Sequence, residues 1–257
     1  MKRWLFILLL LLLTGCGRTD NIETKFPTVL ADLSYEEGSQ YGCRIYLPED
    51  GEYVPYLVLT QKYGGHCLLL REHLMEESQI YNRDVDHAAY YENSEIDRYL
   101  SNSFEERFPG EIVALLESVD IVITAWESLE SCGDEVVTIR RRVFLLSYAE
   151  LGHTRFRSFV KEGEPLSYFS NPDRRIACYA DGTPGSWWLR TPDTTDLSIV
   201  CGIGPGGSVG SGSVMNIAGL AKNGVRPALC IDGDAAVQTL DWNDRQIFVL
   251  AAADTAE

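Results

Sequence analysis

The sequence predicts an α+β fold, on three observations. Strand-like patterns open the main body of the chain, helical patterns occupy its middle, and strand-like patterns return near its end. That order suits segregated strands and helices better than alternating βαβ units. Hydrophobic residues make up 45% of the 257 positions, enough to build a core in one large domain or two small ones. After residue 40 no Pro/Ser-rich linker interrupts the chain. Residues 41–231 are therefore expected to form one domain, with 232–257 as a C-terminal extension.

The first residues have a different character. Lys2 and Arg3 precede an uncharged apolar run over residues 4–13, and small residues then lead to a thiol in Leu13-Thr14-Gly15-Cys16. This is the three-zone layout of a secretory signal. The run is shorter than the ~20 residues needed to cross a hydrocarbon core. The closing tetrapeptide resembles the lipobox of bacterial lipoproteins, in which the cysteine is acylated and becomes the new N-terminus. The resemblance implies a signal peptide over 1–15, palmitate-type lipid on Cys16, and an extracytoplasmic protein tethered to the cell membrane at the cell surface. Several acyl chains are needed for stable anchoring, because each buried methylene contributes only ~0.8 kcal/mol. Residues 16–40 are expected as the lipidated cysteine and a flexible tether, since the stretch after Gly17 is polar and lacks an apolar period. The alternative is a secreted chain in which Cys16 is incidental.

Within the domain, Cys43, Ile45 and Leu47 alternate with less apolar positions, and Tyr56-Leu57-Val58-Leu59-Thr60 is a buried-type run. Tyr63-Gly64-Gly65-His66 turns into Cys67-Leu68-Leu69-Leu70. Two strand-like runs joined by glycines predict a hairpin. Asn93 or Ser94 caps a helical segment in which Ile96, Tyr99, Leu100 and Phe104 recur at helical spacing. Pro109 stands early in a second short segment whose apolar side is Ile112, Val113, Leu115 and Leu116. Residues 119–124 read as a strand, and 143–146 as a strand running into a turn or helix. From 157 to 185 the chain is mostly irregular and polar. Strands are expected again over 187–190, 197–203 and 225–231, with a glycine-rich stretch to Gly219 between the last two.

Charge and cysteines narrow the function classes. The formal charge is -16. Cleavage before Cys16 would remove Lys2 and Arg3 but no acid, leaving 20 basic against 38 acidic side chains and a charge of -18. Such a surface argues against nucleic acid, whose phosphates demand a basic face, and against adsorption to an anionic membrane beyond the lipid itself. Calcium is permitted, but a solvated acidic surface is the favoured meaning. Besides Cys16 there remain Cys43, Cys67, Cys132, Cys178, Cys201 and Cys230. Their even number allows three disulfides with many connectivities, and their wide spacing lacks the paired rhythm of a zinc site. Structural use, as disulfides or buried thiols, is expected.

Several blocks together resemble a known family. They are residues 56–60 with 67–70, then Tyr91-Glu92-Asn93-Ser94 leading to Arg98-Tyr99-Leu100-Ser101-Asn102 and Phe104, then Val143-Phe144-Leu145-Leu146-Ser147. Trp187-Trp188-Leu189-Arg190-Thr191-Pro192 and Gly224-Val225-Arg226-Pro227-Ala228 complete the set and are its specific members. The set resembles an uncharacterised domain-of-unknown-function family, number 6273, found in exported and surface proteins of Gram-positive bacteria. It departs at Tyr91, where the family usually has tryptophan. In its closing motifs the family is similar to the C-type-lectin-like fold, in the variant used by formylglycine-generating enzymes and by hypervariable bacterial binding proteins. The similarity implies a twisted antiparallel sheet, flanking helices and long loops carrying a ligand surface, but no particular function.

Individual motifs divide between chemistry and packing. Trp187 and Trp188 could stack on sugars, yet neighbours in a strand face opposite ways, so core packing is expected for at least one. Arg190 and Arg226 read as buried or half-buried arginines tying loops to carboxylates or carbonyls through their forked donors, with anion binding as the alternative. Gly202-Ile203-Gly204-Pro205-Gly206-Gly207 spells a dinucleotide fingerprint, but no helix opens at its last glycine; a β-turn or bulge is expected. Trp242-Asn243-Asp244 matches half of a lectin calcium motif, whereas Glu164-Pro165-Leu166 and Asn171-Pro172-Asp173, the nearest partners, lie far upstream. His66, His73, His87 and His153 lack zinc-helix spacing. A copper site of the formylglycine-generating type needs a cysteine pair, and among Cys178, Cys201 and Cys230 no two can be matched. No cofactor and no metal site are expected.

The reading is therefore a lipid-anchored surface domain that binds a protein or glycan ligand. Its ligand surface is expected over 198–223 with the irregular chain around 171–186, where Ser208, Ser211, Ser213 and Asn216 offer hydrogen bonds. The alternatives are an enzyme of the formylglycine-generating, copper-oxidase type and a structural envelope lipoprotein.

Overall fold

The computed structural model describes residues 26–251 apart from 85, 87–88, 154–158, 209–214 and 218–221. The expected signal peptide, Cys16, His87, Ser211 and Ser213 lie outside the described residues.

The chain enters through a 3-10 turn, Leu30–Leu33, and a three-stranded meander, β1 (Arg44–Glu49), β2 (Glu52–Tyr63) and β3 (His66–Arg71). The meander follows from its turns. Asp50 and Gly51 take φ of 53° and 85°, and Gly64 and Gly65 take 60° and 87°. Two-residue loops of this left-handed type match the twist of the flanking strands. β1 alternates buried and exposed positions at Ile45, Leu47 and their neighbours, while residues 56–60 of β2 are buried throughout.

A short strand, β4 (Gln79–Ile80), precedes the helical segment α1 (Glu95–Arg98). Ser94 accepts a hydrogen bond from the Asp97 amide at 3.2 Å, the expected N-cap. The segment continues as a π turn, Tyr99–Ser103, which buries Leu100. Then come α2 (Gly110–Val113), capped by Pro109, β5 (Leu116–Glu117), β6 (Val119–Thr124), α3 (Trp126–Ser131), β7 (Val136–Arg141) and β8 (Val143–Phe144). The polar middle forms two 3-10 turns, Ser167–Ser170 and Pro172–Arg175, followed by β9 (Ala177–Cys178) and β10 (Pro184–Gly185). The rest is β: β11 (Trp187–Pro192), β12 (Ile199–Ile203), β13 (Met215–Ile217), β14 (Lys222–Asn223), β15 (Ala228–Ile231), β16 (Val237–Trp242) and β17 (Arg245–Leu250). The described chain is thus mixed, mostly strands with few and short helices.

Eight strands make the main sheet, in the order β16-β17-β1-β2-β3-β15-β5, with β8 also paired to β15. β17 runs parallel to β1, and the other pairings are antiparallel. β15 is the keystone: all four of its residues are buried, and it pairs β3 on one side and β5 and β8 on the other. A smaller sheet, β11-β12-β13, stands apart, as do the pairs β6-β7, β4-β14 and β9-β10.

Two boundaries differ from expectation. The tether does not extend to residue 40, because Leu30 and Leu33 are fully buried and the Leu30 and Ala31 amides donate to Ala235 and Gly233 at 2.9 Å. Two leucines one helical turn apart provide the apolar area that docks this segment. Nor is 232–257 an appendage up to residue 250, since β16 and β17 are strands of the main sheet. Alternation of Ile247 and Val249 around the Asn243-Asp244 turn encodes that hairpin.

Candidate functional site

At the centre of the molecule lies a charged hub around Arg190, which is fully buried on β11. Its Nη1 donates to Glu150 Oε2 at 2.8 Å and to the Leu145 carbonyl at 2.7 Å. Nη2 donates to Glu150 Oε1 at 2.9 Å and to the Glu162 carbonyl at 3.2 Å, and Nε to the Val122 carbonyl at 3.0 Å. The fork therefore holds β6, the turn after β8 and the chain at 162 against one strand. Glu150 also accepts from the Tyr63 hydroxyl at 2.6 Å and the Ser147 amide at 2.8 Å.

A second carboxylate completes the hub. Glu162 is fully buried; its Oε1 accepts from the Thr124 amide and hydroxyl, both at 2.7 Å, and its Oε2 from the Thr191 hydroxyl at 2.6 Å. Burial pushes the Glu162 carboxyl up, against the pull of Arg190 and the threonine hydrogen bonds. Burial opposes the Arg190 charge most strongly of any single cause, but Glu150, Tyr63 and Glu162 together outweigh it and push the guanidinium's pKa up. One fixed cation with all its contacts made to protein oxygens is a structural clamp.

Above the hub opens a cleft of about 310 Å³ lined by Glu36, Lys62, Tyr63, Asp120, Glu150 and Glu164, among others. Acids outnumber bases there. Lys62 is drawn to Glu37 at 3.0 Å on the rim.

The two tryptophans of the signature block are both fully buried, so neither is a sugar platform. Trp188 Nε1 donates to the Gln79 carbonyl at 2.8 Å, and Trp187 Nε1 to the Arg175 carbonyl at 3.1 Å. Arg226, 2% exposed, stacks over the Trp187 ring at 5.1 Å and donates from Nε to the Arg71 carbonyl at 3.0 Å. Burial without a bonded carboxylate pushes its pKa down to about 10. Gly224 is required beside it: a Cβ there would stand 3.0 Å from Leu74 and from the Ser186 carbonyl.

The expected ligand stretches are partly visible. Ser208 is exposed, and Asn216 sits in β13 opposite Val200. The segment after β12 makes a turn, with the Gly207 amide bonded to the Gly204 carbonyl at 2.9 Å, so the dinucleotide-like string opens no helix. Gly207, at φ 73°, lies against the other stretch; a Cβ on it would meet Ile176 at 2.9 Å and the Pro172 carbonyl at 3.3 Å. The two stretches thus adjoin. Around the contact, Asn171, Pro172, Asp173, Ile176, Pro205 and Gly206 are exposed.

The remaining motifs resolve into structure. Asn243 and Asp244, at φ 49° and 59°, form the two-residue turn between β16 and β17, so the calcium half-motif is a hairpin tip. All six cysteines of the domain are free thiols, and the disulfide alternative is not realised. Burial pushes the Cys67 thiol up to about 12 and raises those of Cys201 and Cys230 further. Among the described residues no group of three His, Cys, Asp or Glu side chains is placed to hold a metal, and no helix is long and apolar enough to cross a membrane.

Glu150, Glu162, Tyr63 and Thr124 were not singled out from sequence. A buried arginine demands a carboxylate, but spacing does not say which acid. Ser147 and Glu150 do carry a signal, the Ser-x-x-Glu spacing of a capping box, and the Glu150 amide bonds back to Ser147 Oγ at 3.1 Å.

A family profile described as Domain of unknown function (DUF6273) matches residues 64–233. No curated protein and no solved structure matches the chain. The profile spans well over half of the sequence, and the chain belongs to this family. Strands β1, β2, β16 and β17 lie outside the matched stretch but share its main sheet.

Proposed function

We propose that this family member is a lipid-anchored surface-recognition protein: exported, cut before Cys16, held by acyl chains, and presenting a C-type-lectin-like domain of the formylglycine-generating variant that binds a protein or glycan ligand. The observation that carries the reading is the contact of Gly207 with Ile176 and Pro172. It makes one face of two irregular stretches that are far apart in sequence. That face has an apolar spot at Ile176, 38% exposed, within a polar surround of Asn171, Asp173 and Ser208. An apolar centre with a polar rim is the usual anatomy of a recognition surface, and loops on a rigid scaffold are where binding residues concentrate. The Arg190 clamp supplies the rigidity.

The copper-oxidase alternative draws less support. It needs a cysteine pair, and Cys178, Cys201 and Cys230 lie on β9, β12 and β15, strands of three different sheets. The test uses the mature chain with Cys16→Ser, applied to a glycan array and to an isolated cell-envelope preparation. Ile176→Arg combined with Ser208→Arg should abolish binding while leaving the thermal midpoint in place. Binding that survives both substitutions would move the ligand surface elsewhere; stoichiometric copper on two cysteines, with oxygen consumed on a thiol peptide, would replace the binding function with the enzymatic one.

A further inference from the structure

We propose that a groove between α1 and the end of β7 is an oxyanion site, built to take a phosphate group. The groove, about 380 Å³, is lined by Arg98, Arg140, Arg141 and Arg142 on one hand and by Asp97 and Glu105 on the other, with Asn93, Ser101 and Asn102 between. In a chain with 38 acidic and 22 basic residues, four guanidiniums facing two carboxylates invert the local sign.

The two carboxylates are already committed. Arg141 forks onto Asp97, Nε to Oδ1 and Nη2 to Oδ2, each at 2.8 Å, with Glu92 3.9 Å away. Arg142 holds Glu105 through Nη1 at 2.8 Å and donates from Nη2 to the Val113 carbonyl. These pairs fix the walls. Arg140 makes a single bond, from Nη2 to the Ser118 carbonyl at 3.2 Å, and Arg98 makes no ion pair among the described residues. Asp120 is the cross-strand partner of Arg140 but forms no ion pair with it among the described residues.

Arg98 and Arg140 therefore line the groove with no ion pair among the described residues, beside Arg141 and Arg142, which are held by carboxylates. A ligand with several acceptor oxygens and negative charge answers that local excess of guanidinium. Forked guanidinium donors match a tetrahedral phosphate in geometry as well as in charge. The site shares no residue with the Gly207 face, so it stands or falls separately from the recognition surface.

The experiment titrates two probes into the mature chain at low salt, inorganic pyrophosphate and a phosphodiester-linked glycerol oligomer, followed by calorimetry. At least one is expected to bind, more weakly as salt is raised. Pyrophosphate binding alone assigns the site to a free anion, and tighter oligomer binding assigns it to a polymer. Arg98→Ala with Arg140→Ala should weaken binding by about tenfold or more, as expected for lost charge-assisted hydrogen bonds, with the thermal midpoint unmoved because both side chains are exposed. No binding of either probe at low salt, or equal binding by the double variant, would overturn the site.

Discussion

At the scale of single residues, the buried Arg190 commits all three of its guanidinium nitrogens to protein oxygens. Among the described residues, Arg190 alone links β6, the Ser147–Glu150 turn and the backbone at Glu162 with one donor fork. Removing one partner of a buried ion pair typically costs ~3–5 kcal/mol, because the other charge is left unpaired. Arg190→Met should therefore lose about that much in urea denaturation, and Arg190→Met with Glu150→Gln should recover part of it. A loss below ~1 kcal/mol for the single variant would show the clamp to be dispensable. His153 gives a second prediction. Burial, and then Arg175, push its imidazole down to about 4 from its ordinary value of 6.5, and its Nε2 has no hydrogen-bond partner among the described residues. A depressed folded pKa means that the stabilising effect is complete above pH 6.5 and is lost as pH falls towards 4. Glu162, whose pKa burial raises, acts with the opposite sign above its ordinary value of 4.5, so the comparison is between parent and variant. His153→Phe, which keeps the stacking on Tyr148 at 4.9 Å, should remove the part of the stability loss between pH 6.5 and 4.5. Parallel pH profiles for parent and variant would refute the assignment.

At the scale of elements, turns decide more than propensities do. The β16-β17 hairpin holds Asn243 and Asp244 in left-handed backbone, a region that β-branched side chains avoid. Asn243→Gly is expected to be neutral within ~0.5 kcal/mol, whereas Asn243→Val should cost ~1–2 kcal/mol; equal thermal midpoints would contradict the turn. Turn chemistry also explains what could be read from sequence. The glycine pair after Tyr63 marked the β2-β3 hairpin, Ser94 marked a helix start, and residues 119–124 marked β6. The signature blocks marked β11 and the approach to β15. The helical spacing through Phe104 was visible, but not that the segment would break into α, π and 3-10 turns, since packing of Leu100 and Phe104 sets that geometry. β7 escaped notice because Val136, Val137 and Thr138 are exposed and show no alternation. The C-terminal hairpin was hidden by its resemblance to half of a calcium motif. Partners of Arg190 were unreadable for a simpler reason: contacts such as Arg190–Glu150 and Tyr63–Glu150 span 40 and 87 residues, and no local pattern records them.

For the whole molecule, the start of the described chain lies beside the strand that forms one edge of the main sheet. Val237 donates to the Thr28 carbonyl at 2.9 Å, and Val29 bridges to Ala236, so the chain leaves for its N-terminal segment beside β16. Nine residues stand between Cys16 and Phe26, and the ten steps from one to the other span at most about 33–36 Å when extended. With the charge of -18 that the proposed cleavage would leave, the body would be repelled by an anionic membrane, and electrostatics would not hold it there. Under the proposed anchor, attachment must come from buried acyl chains alone, and this distinguishes it from charge-driven adsorption. Membrane association should persist in high salt, be released by detergent, and depend on one thiol. Radiolabelled palmitate should enter the full chain, while Cys16→Ser should take no label and appear in the soluble fraction. If the Cys16→Ser chain stays on the membrane and the parent takes no label, the anchor is wrong and the tether is only the start of a secreted chain.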